Sequence, residues 1–80
     1  MERAEIAETI TELMEDVFDV DDLVYSDDLD ASQVEEWDSL SNIRFIVAIE
    51  QAFGIRFSNK EVESLQNVGE LVDTVKAKQG

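Results

Sequence analysis

The 80-residue chain lacks cysteine, histidine and proline altogether. Without cysteine it can form neither a disulfide nor a thiolate metal site. Without histidine it has no imidazole base to activate a serine nucleophile. A serine of this chain is therefore not expected to act as a catalytic nucleophile.

Long apolar runs are also missing. The longest, residues 45–49, is far shorter than the roughly 18 residues that a membrane-spanning helix needs. The first three residues, Met-Glu-Arg, do not resemble the start of a signal peptide. We expect a single domain, residues 1–80, that is cytoplasmic and monomeric and does not insert into membranes.

What the chain has in excess is negative charge. It contains 20 Asp and Glu against six Lys and Arg, a formal net charge of −14. The whole excess precedes residue 44, because residues 1–43 hold 15 acids and one base, Arg3, whereas residues 44–80 hold five of each. Such a field repels nucleic acid, so nucleic acid is not an expected partner. It favours partner proteins with basic docking patches and speeds their encounter at low salt.

Hydrophobic periodicity predicts an all-α fold, a bundle of three longer helices and one short helix with a long loop after the first. A stripe of Ile6, Ile10, Leu13 and Val17, widened by Ala7, Met14 and Phe18, defines the first helix. The second helix is apolar around most of its circumference, which predicts that it is the central and most buried one. Val62 and Leu65 are the expected buried residues of the short third helix. The predicted ranges are 3–17, 39–53, 59–65 and 68–78.

Local signals mark where these helices begin and end. Asp38 is a candidate N-cap, and Gly54 is a C-terminal stop. Ser58 with Glu61 fits a capping box, and Asn67 with Glu70 three residues later is a further N-cap signal.

Residues 19–38 lose the helical period and predict a loop of about 20 residues, a length that is usually functional or disordered. Apolar residues recur along it, so we expect a loop pinned to the core at intervals, with one helical turn near residues 31–35. The expected pins are Leu23, Tyr25, Leu29, Val34 and Trp37.

The aspartates of this loop do not form a calcium-binding motif. An EF-hand register that starts at Asp19 puts Val24 where glycine is required and Asp30 where glutamate is usual. Adjacent carboxylate pairs such as Asp27-Asp28 could serve in acid–base catalysis, but nothing predicts an apolar pocket that would raise the pKa of one of them. We expect no metal site and a solvated acidic surface.

The tripeptide Asp38-Ser39-Leu40 ends the acidic loop and begins the most apolar helix. Taken alone, Ser39 could be a second capping hydroxyl. In context, however, the chain resembles an acyl carrier protein over essentially its whole length. The resemblance is strongest in residues 36–43 and 46–55, and the length, the acidity and the order of the helices agree with it.

The resemblance implies that Ser39 carries 4′-phosphopantetheine through a phosphodiester, with Asp38 and Leu40 as its motif neighbours. It implies a carrier that is a substrate of enzymes and not itself an enzyme, with no catalytic residues of its own. Its implied partners are a phosphopantetheinyl transferase and acyl-loading and acyl-using enzymes with basic docking patches. We expect the phosphate to be stabilised by the amides of the helix N-terminus and opposed somewhat by Asp38. The helix 39–53 corresponds to the family's acidic partner-binding helix. Candidate partner contacts are Trp37, Leu40, Ile43, Arg44, Val47 and Glu50.

The sequence departs from the family pattern in this helix, whose only acid is Glu50 and which carries Arg44. Trp37 stands where fatty-acid carriers more often have a small residue. These departures favour a specialised, stand-alone carrier with a dedicated pathway. An aminoacyl or peptidyl carrier is the alternative with the same fold and arm, and an unmodified acidic interaction module is the alternative from another class.

Overall fold

The computed structural model describes residues 2–79, and this part of the chain forms four helices. They are α1 (Arg3–Phe18), α2 (Ser39–Phe53), α3 (Asn59–Ser64) and α4 (Val68–Gln79). The predicted all-α fold with its long first connection is confirmed, and each helix end lies within one residue of its predicted position. No helix in the described range is both long enough and apolar enough to cross a membrane.

The core lies where α1 contacts α2 and α4. The buried residues of α1 all belong to the predicted stripe, and two of its members, Leu13 and Val17, are half-buried. Fourteen apolar residues between positions 2 and 79 are buried: Ile6, Ala7, Ile10, Met14, Phe18, Leu29, Val34, Phe45, Ile46, Ile49, Val68, Leu71, Val72 and Val75.

The prediction that α2 is the most buried helix is wrong. It buries only Phe45, Ile46 and Ile49, whereas α1 and α4 bury five residues each. Its other apolar side, which carries Leu40, Ile43 and Val47, faces solvent. An apolar helix in a small bundle therefore keeps a face that no other helix of the fold covers.

The residues predicted to cap the helices form the expected hydrogen bonds. The Asp38 carboxylate accepts the Ser41 amide at 2.8 Å, Ser58 and Glu61 form a reciprocal capping box, and Asn67 accepts the Glu70 amide at 2.9 Å. Gly54 ends α2 with a φ of 66°, a left-handed conformation that glycine adopts without steric cost.

The long loop is pinned to the core, as its apolar residues predict. Leu29 and Val34 are buried, while Leu23, Tyr25 and Trp37 are half-buried against the core. The predicted helical turn near residues 31–35 is not a helix. Two successive turns stand there instead, closed by the Gln33 amide to the Asp30 carbonyl and the Trp37 amide to the Val34 carbonyl.

The short helix α3 buries no residue. Val62 and Leu65, which were predicted to be buried, are half-buried because their side chains border a cleft instead of filling the core. The same cleft is lined by Ser39, the candidate site residue.

Candidate phosphopantetheine attachment site

Ser39 is the first residue of α2 and is exposed. Asp38 precedes it as the N-cap, and the pKa of the Asp38 carboxyl lies below its ordinary value because the Ser41 amide donates to it. The serine hydroxyl therefore stands beside a carboxylate that stays ionised at neutral pH.

The Asp38 cap bears on how the N-terminus of α2 would stabilise a phosphate on Ser39. The Ser41 amide donates to the Asp38 carboxylate at 2.8 Å, so one of the anion-binding groups of this helix end already has an anionic partner. A phosphate on Ser39 would compete with Asp38 for this amide and be repelled by its charge, in line with the opposition expected from the sequence. The Ser39 side chain itself is exposed.

Ser39 lines a cleft of about 470 Å³ between α2, the segment that contains α3, and the start of α4. Apolar side chains from all three elements form its walls, and side-chain amides add polar groups. The lining residues are Ala31, Trp37, Asp38, Ser39, Asn42, Phe45, Ile46, Val62, Leu65, Gln66, Asn67 and Leu71.

Trp37 forms one wall of the cleft and is anchored on three sides. Its ring stacks on Phe18 with centroids 5.4 Å apart and meets the Phe45 ring edge-on at 5.5 Å. Its Nε1–H donates to Oδ1 of Asn42 at 2.9 Å. The structure therefore places Trp37, expected as a partner contact, mainly as a half-buried anchor between the loop and α2.

Leu40, Ile43 and Val47 lie on the solvent side of α2, 62%, 61% and 44% exposed. Arg44 is exposed beside them. These four residues form a continuous strip that begins next to Ser39, and none of them contributes to the buried core.

Glu50 is half-buried, and its carboxylate accepts the Phe57 amide at 2.8 Å. It thus holds the linker that follows Gly54 against the end of α2. Expected as a partner contact, Glu50 is placed by the structure as a fixing point for the segment that leads into α3.

One network holds the acidic loop against the helices. Arg3 donates from Nη2 to Asp27 at 2.9 Å and from Nε to Asp73 at 2.8 Å, and the Tyr25 hydroxyl also donates to Asp27. The bonds from Tyr25 and Arg3 lower the pKa of Asp27. Burial, followed by the bond to Asp27, raises the pKa of Tyr25 to about 12. The lone base of the acidic half thus ties α1, the loop and α4 together.

Within residues 2–79 no cluster of three or more acidic side chains is arranged to hold a metal ion. Four residues that line the cleft were not predicted from the sequence to belong to the site: Asn42, Gln66, Asn67 and Leu71. The Trp37–Asn42 bond has no sequence signal, because it depends on how the loop enters α2. Arg3 had one signal, its isolation among 15 acids.

The chain matches a family model described as the phosphopantetheine attachment site over residues 8–75. The acyl carrier protein of Rubrobacter xylanophilus is 33% identical over 94% of this chain and 93% of its own. That of Lactobacillus acidophilus is 33% identical over the full length of both. The holo acyl carrier protein from Geobacter metallireducens, a solution NMR structure, has a TM-score of 0.86 and 36% identity, covering 91% of this chain and 84% of its own.

The fold and the matched region together define a phosphopantetheine-bearing carrier. The relatives narrow that class, and the chain belongs to the acyl carrier protein family. Covalently attached 4′-phosphopantetheine is its cofactor. Proteins of this family interact with phosphopantetheinyl transferases and with acyl-processing enzymes.

The residues at the cleft fit such a group. An exposed serine hydroxyl stands at the cleft, and the side-chain amides of Asn42, Gln66 and Asn67 line it. Amide side chains can exchange hydrogen bonds with the amides of a pantetheine chain, while the apolar wall suits its methyl and methylene groups.

Proposed function

We propose that this chain carries acyl groups as thioesters on a 4′-phosphopantetheine arm attached to Ser39. The observation that carries the proposal is the position of Ser39, exposed at the start of α2 and lining a cleft of about 470 Å³. The arm supplies the thiol that the chain, which has no cysteine, lacks.

Attachment requires a partner enzyme, since no residue of this chain can act as the imidazole base. The Ser39 oxygen forms a bond to the phosphorus next to the pantetheine of coenzyme A. The bond from that phosphorus to the bridging oxygen breaks, and adenosine 3′,5′-bisphosphate leaves. The serine proton passes to the transferase or to solvent. The chain is thus a substrate and carrier, not a catalyst.

Mass spectrometry of the intact protein tests this assignment. After incubation with coenzyme A and a broad-specificity phosphopantetheinyl transferase, the wild type should gain one arm. Ser39→Ala should gain none, whereas Ser41→Ala, two residues further along the same helix, should still gain one. A wild type that gains no mass would leave an unmodified acidic interaction module as the better interpretation.

We propose acyl cargo of the fatty acid, lipid or polyketide type, because apolar side chains such as Phe45, Ile46 and Leu71 line the cleft and the relatives are acyl carrier proteins. An aminoacyl or peptidyl cargo is favoured by one feature, the nearly neutral α2, whose 15 residues hold one acid and one base. Loading of the holo protein by acyl-activating or by amino-acid-activating enzymes distinguishes the two.

We further propose that the carrier is specialised, monomeric and cytoplasmic, and that the acidic α1 and loop attract enzymes with basic docking patches. Attraction at long range speeds transient encounters with several enzymes without requiring tight binding. If the carrier serves a dedicated pathway, the ketosynthase and acyltransferase of housekeeping fatty acid synthesis should load or use this protein poorly. Efficient use by both would contradict it.

A further inference from the structure

The cleft beside Ser39 combines a buried apolar base with half-buried polar walls. The lining residues that are buried are all apolar: Phe45, Ile46 and Leu71. Asn42 of α2 and Asn67, which directly precedes α4, line the same cleft and are half-buried. A group that enters the cleft therefore meets hydrocarbon and two side-chain amides.

Both of these side-chain amides have their oxygen atoms occupied. The Trp37 indole N–H donates to Oδ1 of Asn42, and the Glu70 backbone amide donates to Oδ1 of Asn67, each at 2.9 Å. An indole or backbone N–H can only donate, so these bonds fix which end of each side-chain amide is the oxygen. The Nδ2 groups of Asn42 and Asn67, with two donors each, have no hydrogen-bond partner within residues 2–79.

The two Nδ2 groups are accessible as well as unpartnered. Every buried side-chain nitrogen or oxygen atom in the described part of the chain has a hydrogen-bond partner, so neither Nδ2 is sealed in the core. The half-buried amides of the cleft thus offer hydrogen-bond donors and no free acceptor. The polar side chains Asp38 and Gln66, by contrast, are exposed.

A ketone carbonyl is the polar group that matches these walls. It accepts hydrogen bonds and has no N–H or O–H of its own that would need an acceptor. The amides of a pantetheine arm each carry an N–H, which the Nδ2 groups cannot satisfy. A carboxylate would also accept hydrogen bonds, but the Asp38 carboxylate lines the same cleft and would repel it.

A saturated acyl chain matches the cleft less well than an oxoacyl chain of the same length. Its methylene groups would displace water from the Nδ2 donors of Asn42 and Asn67 without replacing the lost hydrogen bonds. A donor left unpaired in this way lowers an equilibrium constant by roughly tenfold. The apolar base of the cleft receives the hydrocarbon part of either chain equally.

We propose that the cleft selects acyl cargo with a neutral carbonyl oxygen beyond the thioester, as in a 3-oxoacyl chain, over saturated cargo of the same length. This rests on the proposed attachment of the arm to Ser39. Asn42 and Asn67 determine the specificity by donating to that oxygen. Trp37 is a positioning residue, because its N–H holds the Asn42 oxygen and leaves Nδ2 for the cargo.

Nuclear magnetic resonance of the loaded carrier tests this preference. A broad-specificity phosphopantetheinyl transferase attaches arm and cargo together when it is given hexanoyl or 3-oxohexanoyl coenzyme A. The measured quantity is the ratio of cleft-bound to extended cargo, obtained from nuclear Overhauser effects between the terminal methyl group of the cargo and Leu71. We expect this ratio to be about tenfold higher for the 3-oxohexanoyl form.

Two variants test the assigned residues. Trp37→Phe keeps an aromatic ring without the N–H, and Asn67→Asp keeps a capping oxygen without the donors. Each should reduce the preference for 3-oxohexanoyl by about fivefold, whereas a merely loosened cleft would hold both cargoes less well and keep the preference. Asn59→Asp, the same change at an exposed asparagine outside the cleft, is the matched control and should keep it too. Far-ultraviolet circular dichroism checks that each variant keeps its helices.

Equal ratios for the two cargoes, or a higher ratio for hexanoyl, in a wild type that accepts the arm would overturn the cargo proposal alone. Side-chain amide signals of Asn42 and Asn67 that are the same with and without 3-oxohexanoyl on the arm would also overturn it. An unchanged preference in Trp37→Phe would overturn the positioning role. A wild type that accepts no arm would overturn the attachment at Ser39 and the cargo proposal with it.

Discussion

At the scale of single residues, Asp27 joins the loop to two helices. Its carboxylate receives bonds from Arg3 and Tyr25, and its carbonyl oxygen accepts the Gly69 amide at 3.0 Å. Gly69 must lack a side chain here, because a Cβ would lie 2.8 Å from both the Cβ and the carbonyl oxygen of Asp27. Charge and close backbone contact thus fix the same point of the loop.

Acidification should reveal the contribution of Asp27. Its pKa is lowered in the folded protein, and an unfolded Asp titrates near 3.9. The stability it adds is therefore present above about pH 4 and is lost as the pH falls through the folded pKa. Asp27→Asn should be less stable than the wild type at pH 7 and should lose less unfolding free energy between pH 5 and pH 2.5, measured by urea denaturation at each pH.

Asp28→Asn is the matched control, since the exposed Asp28 carboxylate accepts neither the Arg3 nor the Tyr25 bond. It should lose as much stability as the wild type on acidification. Equal losses for Asp27→Asn and the wild type would contradict a role for this carboxylate in the acid sensitivity of the fold.

Replacement of Gly69 should be costly. Alanine gains about 1 kcal/mol over glycine in a helix, but the new Cβ would meet backbone atoms of Asp27 that cannot rotate away. Overpacking costs about 1–3 kcal/mol, so we expect Gly69→Ala to lower the urea-derived free energy of unfolding by a net amount of up to about 2 kcal/mol.

Gly54→Ala provides the contrast. A Cβ at Gly54 would meet nothing within 4 Å, but the φ of 66° strains any side chain, at a cost of about 1–2 kcal/mol. This loss should leave the loop unaffected in hydrogen exchange, whereas Gly69→Ala should also speed exchange in residues 25–29. If hydrogen exchange in residues 25–29 is unchanged in Gly69→Ala, the close contact between Gly69 and Asp27 does not hold this part of the loop in place.

At the scale of elements, α3 is the least anchored helix, because it buries no residue. Lys78 of α4 holds it through a 2.8 Å ion pair with Glu61 and lies over the Phe57 ring at 5.5 Å. The pKa of Glu61 is lowered chiefly by this lysine. Since Val62 lines the cleft, the attachment of α3 helps to define one cleft wall.

Lys78→Ala should loosen α3 without unfolding the molecule. Exposed ion pairs contribute about 0–1 kcal/mol, so hydrogen exchange of α3 amides should speed up by up to about fivefold while the global free energy of unfolding changes by less than about 1 kcal/mol. Lys60→Ala, at an exposed lysine with no ion pair in the described range, should not share the effect on exchange. Unchanged exchange in Lys78→Ala would show that apolar contacts alone hold α3.

The helix ends could be predicted because each carries its own chemical signal, such as the Asp38 carboxylate or the left-handed Gly54. The burial of individual side chains could not be predicted, because it depends on which helices and loops cover each other in the folded protein. The apolar pattern of α2 gives no sign that one of its faces stays exposed, and the Trp37–Asn42 bond exists only once loop and helix are folded together. Ser39 is a prediction from the resemblance, whereas the cleft that it lines became visible only in the folded structure.

At the scale of the whole molecule, the fold holds a large unbalanced charge in a compact volume. The radius of gyration is 11.4 Å, close to the roughly 11.6 Å of a compact chain of this length. Acids on α1 stand close together, since exposed Glu8 and Glu12 are four residues apart, and such like-charge pairs are destabilising. The charge that we propose attracts partner enzymes therefore reduces the stability of the carrier.

Salt should stabilise the protein. Between about 20 mM and 0.5 M sodium chloride we expect the melting temperature to rise by about 5 °C, which corresponds to about 1 kcal/mol for a domain of this size. Glu8→Gln should melt higher than the wild type at low salt and respond less to added salt. A melting temperature independent of salt would mean that the carboxylates do not repel one another appreciably.

The central claim is that Ser39 holds the arm, and the most direct test is to locate that arm in the modified protein. Tryptic digestion of the holo protein yields a peptide spanning residues 4–44, which contains Ser26, Ser32, Ser39 and Ser41. Fragmentation of this peptide in the mass spectrometer should place the phosphopantetheine on Ser39 alone. An arm on any other residue, or a holo form that persists in Ser39→Ala, would contradict the account.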